Sequence, residues 1–215
     1  MNRSHGQVRS PGQVRSPRGY AATKRVIDLV ICFAALPILL PLFVLCAAVI
    51  RLESPGPILF AQQRTGQHGV RFPMFKFRTM VQNAEELKAS LQHLNVLPPP
   101  DFKIPNDPRV TRVGRFLRKT SLDELPQVLN VIRGDMSIVG PRPTSFAAST
   151  YDLWHSERLE VLPGITGLWQ VKGRGTMTFD ERLRLDIEYM ERRSTMFDLQ
   201  LIAQTALAMF KGSGV

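Results

Sequence analysis

Two adjacent carboxylates, Asp123 and Glu124, stand in the stretch RKTSLDELPQVLNVIRGDMSIVGPRP, Arg118 to Pro143. On a phosphoryl centre such a pair can divide the work. Asp123 can attack phosphorus as a carboxylate nucleophile, while Glu124 accepts a proton or assists a metal. Leu125, Val128, Leu129 and Ile132 recur at helical spacing, and Gly134 is placed to stop that helix. Pro126 is best tolerated in a first turn. The pair therefore falls at or just inside a helix N-terminus, where backbone N–H groups favour anions. A purely structural reading competes, because Ser121-x-x-Glu124 spells a capping box. Arg118, Arg142 and Arg174 are candidate clamps for phosphoryl oxygens, since guanidinium matches phosphate bidentately. Gly140-Pro-Arg-Pro143 presents Arg142 on a rigid turn, though the turn can be architectural and any single arginine a solvated one.

The totals narrow the partners. The 215 residues allow one domain with a real core plus an appendage, and a net charge of +10 points to phosphates, an acidic membrane surface or nucleic acid. Nucleic acid loses ground, because zinc-finger spacing, an RNP-like aromatic motif and a helix-turn-helix pattern are all absent from the sequence. Cys32 and Cys46 both lie in one apolar run and read as buried small hydrophobes. The histidines are scattered singly, against a His-based metal centre. A Walker A loop, a dinucleotide glycine fingerprint and a nucleophile elbow are also missing.

The positioning elements follow in order. Residues 1–23 read as a disordered basic tail, with GQVRSP repeated at Gly6–Pro11 and Gly12–Pro17. Its arginines, with Lys24 and Arg25, suit anionic lipid. Val26 to Ile50 is a 25-residue apolar run. As one helix it would reach about 38 Å, enough for a hydrocarbon core of roughly 30 Å. Pro37 and Pro41 should break or kink it. Both flanks are basic, the far one through Arg51, Arg64, Arg71, Lys76 and Arg78. A helix that dips in and returns would keep both flanks on one side; a kinked ordinary span is the alternative.

Ile58–Gln63 and Arg71–Thr79 read as strands around a Gly66–Gly69 turn, with Lys76 and Arg78 facing solvent, headgroups or substrate. Ala84–Leu94 and Ser145–Leu162 read as helices, Pro163–Gly167 as a turn and Trp169–Arg174 as an extended piece. Thr178–Arg193 reads as a helix opened by a second capping box, Thr178-x-x-Glu181, with Asp186 at the edge of its apolar stripe. Phe197–Phe210 suits a core or interfacial helix.

From Lys24 to Val215 the chain resembles the bacterial sugar transferases, the monotopic phosphoglycosyl transferases. The resemblance rests on Lys76-Phe-Arg-Thr-Met80, Asp107-Pro-Arg-Val-Thr111, Thr120-Ser-Leu-Asp-Glu-Leu-Pro-Gln127, Gly134-Asp-Met-Ser137, Gly140-Pro-Arg-Pro143, Pro163-Gly-Ile-Thr-Gly167 and Trp169 to Arg174, in that order behind a basic-flanked apolar segment with Pro41. It implies an α+β fold: a mainly helical cytosolic-face domain with a small β-hairpin, residues 53–215, anchored by a re-entrant membrane helix over residues 24–52 and by interfacial amphipathic helices. It implies transfer of a sugar 1-phosphate from a UDP-sugar to undecaprenyl phosphate, releasing UMP, on the cytoplasmic face of the bacterial inner membrane. Asp123 would be the nucleophile and sit close to a required Mg2+, with Glu124 completing the dyad. Arg118, Arg142, Arg174, Lys76 and Asp186 would serve the substrate phosphates, and Pro41 would break the membrane helix. Relatives with further membrane helices make this chain look like a minimal catalytic unit. The competing functions are a lipid-diphosphate phosphohydrolase using the same dyad and an inactive membrane scaffold.

Overall fold

The apolar run forms one helix in the computed structural model, which describes residues 19–97, 102–147, 153–173 and 177–210. This helix, α1 (Tyr20–Glu53), has 34 residues and carries Pro37 and Pro41 inside it. The expected break at Pro41 therefore does not interrupt it. Each proline removes one N–H donor and crowds the carbonyl four residues back, but the helix is held by packing on both sides of that stretch. Its buried residues, Tyr20, Asp28, Cys32, Cys46 and Ile50, fall on one face at helical spacing. Val26, Val30, Phe33, Leu40 and Val44 lie on the other and are each more than half exposed.

Next comes the expected hairpin. Strand β1 (Leu59–Thr65) pairs antiparallel with β2 (Arg71–Phe77), from Leu59 opposite Phe77 to Thr65 opposite Arg71. Helix α2 (Arg112–Lys119) starts at Thr111, whose hydroxyl accepts from the Gly114 N–H. A 3-10 turn (Leu122–Glu124) and α3 (Gln127–Arg133) follow, and Gly134 ends α3 in the left-handed conformation, φ 90°. Strand β3 (Ser137–Val139) pairs parallel with β4 (Gly164–Thr166). A parallel pair needs a long return, and this one carries Arg142, the short helix α4 (Leu153–Ser156) and Arg158. Helix α5 (Leu168–Lys172), α6 (Phe179–Arg192) and α7 (Thr195–Phe210) complete the chain.

Four local expectations change. Ala84–Leu94 yields only 3-10 turns at Glu86–Lys88 and Gln92–Leu94: Leu87 and Leu94 of its apolar stripe stay exposed, so little packing is there to hold a short helix. Among the described residues of Ser145–Leu162, only Leu153 to Glu160 are helical; residues 145 and 146 give their carbonyls to Arg71. Pro163–Gly167 contains a strand instead of a free turn, and Trp169–Lys172 is helical instead of extended.

Three apolar clusters hold these elements. Cys32 packs with Phe72, Met74, Val131 and Met136; Cys46 and Ile50 pack with Phe77 and Leu117; Val139, Leu168, Tyr189, Met190 and Leu201 form the third. Thus α1 supplies core residues to two of the three. Polar latches add to this. Asp198 on α7 accepts from Tyr20 Oη and Lys24 Nζ, both at 2.8 Å, and Asp28 accepts from the Ile138 N–H at 3.1 Å. At the far end, the Glu53 carboxylate accepts from the Val113 N–H at 3.0 Å.

Candidate active site

Four elements converge on the carboxylate pair. Strand β2 delivers Lys76, α2 delivers Arg118, the 3-10 turn delivers Asp123 and Glu124, and the β3–β4 return delivers Arg142. Gly114 permits the approach of α2: a Cβ there would lie 2.1 Å from the Thr79 carbonyl oxygen. The neighbouring Thr79 hydroxyl accepts from Arg118 Nε at 2.9 Å. After α2 the chain turns at Ser121, whose φ of 58° is left-handed. Leu122 and Leu125 then anchor on the Phe77–Leu117 cluster, on either side of the acids.

The Ser121–Glu124 capping box does not form: Ser121 makes no side-chain cap, and the Glu124 carboxylate faces away from it. Glu124 accepts from Lys76 Nζ at 2.9 Å and from both terminal nitrogens of Arg142, Nη1 at 3.2 Å. The second box is complete, with Thr178 N donating to Glu181 Oε2 at 2.8 Å and Thr178 Oγ1 accepting from the Glu181 N–H.

The two acids are driven apart electrostatically. Burial pushes Asp123 up, and neighbouring Glu124 adds to this; Lys76, Arg118 and Arg142 oppose without cancelling it. Burial also acts on Glu124, but Arg142 and Lys76 outweigh it and hold that carboxyl well below its usual range. Lys76 is lowered by burial in spite of Glu124. Hence Glu124 is a poor proton acceptor and a firm counter-ion for two cations. Asp123, 8% exposed and 4.0 Å from Lys76 Nζ, has no such bidentate partner among the described residues. It is the carboxylate of the pair open to a cation or an electrophile.

Arg118, Lys76 and Arg142 thus surround the acids as expected. Arg174 lies outside the described residues. Asp186 is not in this group; it is 1% exposed on α6 and pairs with Arg158, 2.8 Å away. Direct contact with a phosphate is not available to it there. The basic flank after α1 is also used differently: Arg78 donates to the Ser54 and Pro55 carbonyls, Arg64 to that of Pro143 and Arg71 to those of Gln63, Ser145 and Phe146.

Sequence reasoning missed several positioning residues. Asn130 is fully buried, accepting from the Phe75 N–H at 2.9 Å and donating to the Pro73 carbonyl at 2.8 Å, so it fastens α3 to β2. Arg25, Asp28 and Arg158 had no periodic or motif signal either, since each acts on a distant part of the chain; Thr79 stands in the Lys76–Met80 motif, but nothing there shows that it will meet Arg118. Among the described residues, no three of His, Cys, Asp and Glu come together to cage a metal.

Residues 19–212 match the family described as "Bacterial sugar transferase". The chain is 42% identical over 194 residues to a UDP-glucose:undecaprenyl-phosphate glucose-1-phosphate transferase of Caulobacter vibrioides, covering 85% of this chain and 67% of that protein. It is 39% identical over 198 residues to the exopolysaccharide production protein ExoY of Sinorhizobium fredii, covering 89% and 88%. An undecaprenyl-phosphate galactose phosphotransferase of Salmonella typhimurium is 40% identical over 196 residues; the match covers 89% of this chain but 41% of that protein. The chain thus spans under half the length of some curated relatives and most of others. Since the matched region takes in every residue that converges on Asp123 and Glu124, the chain belongs to the bacterial sugar transferase family.

Proposed function

We propose that the chain transfers a sugar 1-phosphate from a UDP-sugar to undecaprenyl phosphate, the initiating step of exopolysaccharide or surface glycoconjugate synthesis. The observation that carries this reading is the buried Asp123 carboxylate beside a Glu124 already neutralised by Lys76 and Arg142. The names of the Caulobacter and Salmonella relatives support the donor and acceptor classes.

In the first step an Asp123 oxygen attacks the sugar-bearing phosphorus. The bond from that phosphorus to the bridging oxygen breaks, and UMP leaves with the bond's electron pair. In the second, a phosphate oxygen of undecaprenyl phosphate attacks the same phosphorus, and the Asp123 carboxylate departs. Lys76, Arg118 and Arg142 face the negative charge that gathers on the phosphoryl oxygens. Glu124 keeps two of these cations in register. The donor set fits Mg2+, which takes one or two carboxylates and completes its shell with phosphate and water. Asp123 would hold it, and it would neutralise the diphosphate and its leaving group.

We also infer a monotopic placement on the cytoplasmic face of the inner membrane. Helix α1 is long and apolar enough to cross a membrane by length and composition, yet Tyr20 and Lys24 at one end and Ile50 and Glu53 at the other dock on the same domain. A straight crossing would carry one end roughly 30 Å away from it. A helix lying in the plane of the interface keeps both contacts and gives Val26, Val30, Phe33, Leu40 and Val44 to lipid. Exposed Phe116, Met196, Leu199 and Leu207 would extend that surface.

The test is UMP release from a panel of UDP-sugars with Mg2+ and undecaprenyl phosphate in nanodiscs. Lipid-dependent release with one sugar is expected, lost in Asp123→Asn without loss of membrane association. Release that proceeds equally without lipid would make the protein a hydrolase. Full activity in Asp123→Asn would overturn the nucleophile.

A further inference from the structure

We propose that Arg158 is a positioning residue that acts through the main chain of Arg142, aiming that guanidinium at Glu124; this rests on the transfer reaction proposed above. The return between β3 and β4 leaves residues 141–147 without regular structure, so their carbonyls need other partners. They find them in an unusual set. Arg158 Nη2 donates to the Arg142 carbonyl, Arg64 Nη1 to that of Pro143 at 3.3 Å, and the Thr65 N–H to that of Thr144 at 3.0 Å. Arg71 Nη1 takes the Ser145 and Phe146 carbonyls at 3.0 and 2.9 Å. Three guanidinium groups therefore grip one short backbone segment, and the residue it presents is the bidentate partner of Glu124.

Arg158 differs from the other two. It holds the carbonyl of Arg142 itself, is only 5% exposed, and pairs with the fully buried Asp186 at 2.8 Å. Its burial keeps it from a substrate phosphate, so it is not itself catalytic. A buried ion pair is also a weak source of stability, often replaceable by apolar side chains. What the pair does fix is geometry: Asp186 on α6 stops the guanidinium from swinging away, and the guanidinium stops the Arg142 peptide from rotating. On the other side of the turn Gly140 packs so closely on the β4 approach that a Cβ would lie 2.4 Å from the Leu162 carbonyl oxygen. Pro141 and Pro143 fix φ on either side of Arg142. Only the peptide after Arg142 is left for Arg158 to set.

The experiment uses the full chain in nanodiscs, with Arg158→Met and Asp186→Leu combined so that no charge is orphaned, Arg158→Lys, and Arg142→Ala. The combined replacement is expected to lower kcat/KM at least tenfold, mainly through kcat, with the thermal midpoint held. A misplaced catalytic group costs rate on that scale. Arg158→Lys should recover part of the loss. Added to Arg142→Ala, the combined replacement should cause no further loss, because the two act as one unit. Unchanged kcat, or losses that multiply with Arg142→Ala, would overturn the proposal. Wild-type UMP release, dependent on undecaprenyl phosphate, tests the reaction separately. Should that fail, the 15N guanidinium signals of Arg142 still decide the matter: they should shift in the combined variant, and unchanged signals would refute the role of Arg158.

Discussion

The Arg25 guanidinium donates to the Ile132 carbonyl at 2.8 Å. It reaches the Val131 carbonyl as well, so a residue of the long apolar helix closes the C-terminal turn of α3. The Val131 carbonyl also accepts from the capping Gly134 N–H at 3.0 Å, and a cation suits that end of the helix dipole. Asp28, one turn further along α1, holds the Ile138 N–H at the start of β3. The apolar helix therefore grips the segment that begins just after Glu124.

Replacing Arg25 should loosen that segment. Arg25→Ala is expected to cost about 1–2 kcal/mol in denaturant unfolding, for two charge-assisted bonds at a helix terminus. It should also lower the rate of transfer, while Arg25→Lys retains part of both. Wild-type stability in Arg25→Ala would show that the contacts contribute nothing.

Removing Lys76 should move the pH dependence of the reaction. Burial has already raised Asp123, and Lys76 is the largest influence against that rise. A nucleophilic carboxylate must be ionised, so activity is lost as pH falls through its folded pKa. Lys76→Met takes away the opposing charge, and the acidic limb of the kcat/KM profile should shift to higher pH. A limb in the same place would mean that another group controls it.

Asp186 makes a separate prediction about stability. Burial raises its carboxyl from 3.8 to about 6, against the pull of Arg158 and Arg182. The folded protein therefore binds this proton more tightly than the unfolded chain. The associated stability is complete below pH 3.8 and is lost as pH rises through about 6. Thermal midpoints of the wild type, compared with Asp186→Asn, should gain as pH drops from above 6 towards 4. A constant difference across that window would refute the shift.

Gly114→Ala probes the approach of α2 to β2. The new methyl carbon would meet the Thr79 carbonyl oxygen at 2.1 Å, so the helix must retreat and Arg118 must leave the Thr79 hydroxyl. Overpacking of this kind costs about 1–3 kcal/mol. Transfer should fall with it, and a crystal structure should show α2 displaced. An active variant with wild-type stability would mean that Arg118 does not depend on this contact.

What the sequence made legible was local. The hairpin, the helix stopped by Gly134, the box at Thr178 and the grouping of Lys76, Arg118 and Arg142 with the acids each rest on near-neighbour patterns or on a family motif. What it hid was partnership. Nothing in Ser121-x-x-Glu124 reveals that Lys76 and Arg142 will take the Glu124 carboxylate from the cap. Nothing in the basic run after α1 reveals that Arg64, Arg71 and Arg78 will face backbone carbonyls instead of lipid. Trp169–Lys172 looked extended because its neighbours are turn residues; packing on α6 and α7 makes it helical.

The latch between Tyr20 and Asp198 joins residues 178 positions apart. A ribosome would therefore release everything from α1 into α7 before this contact forms, while the inward face of α1, with Cys32, Cys46 and Ile50, waits for strands and helices made after it. Long-range closure of this kind folds slowly and leaves apolar surface open meanwhile. Insertion of α1 at a membrane during synthesis would shelter its outer face through that interval. For the same reason, cutting away α1 to obtain a soluble enzyme would leave two of the three cores open.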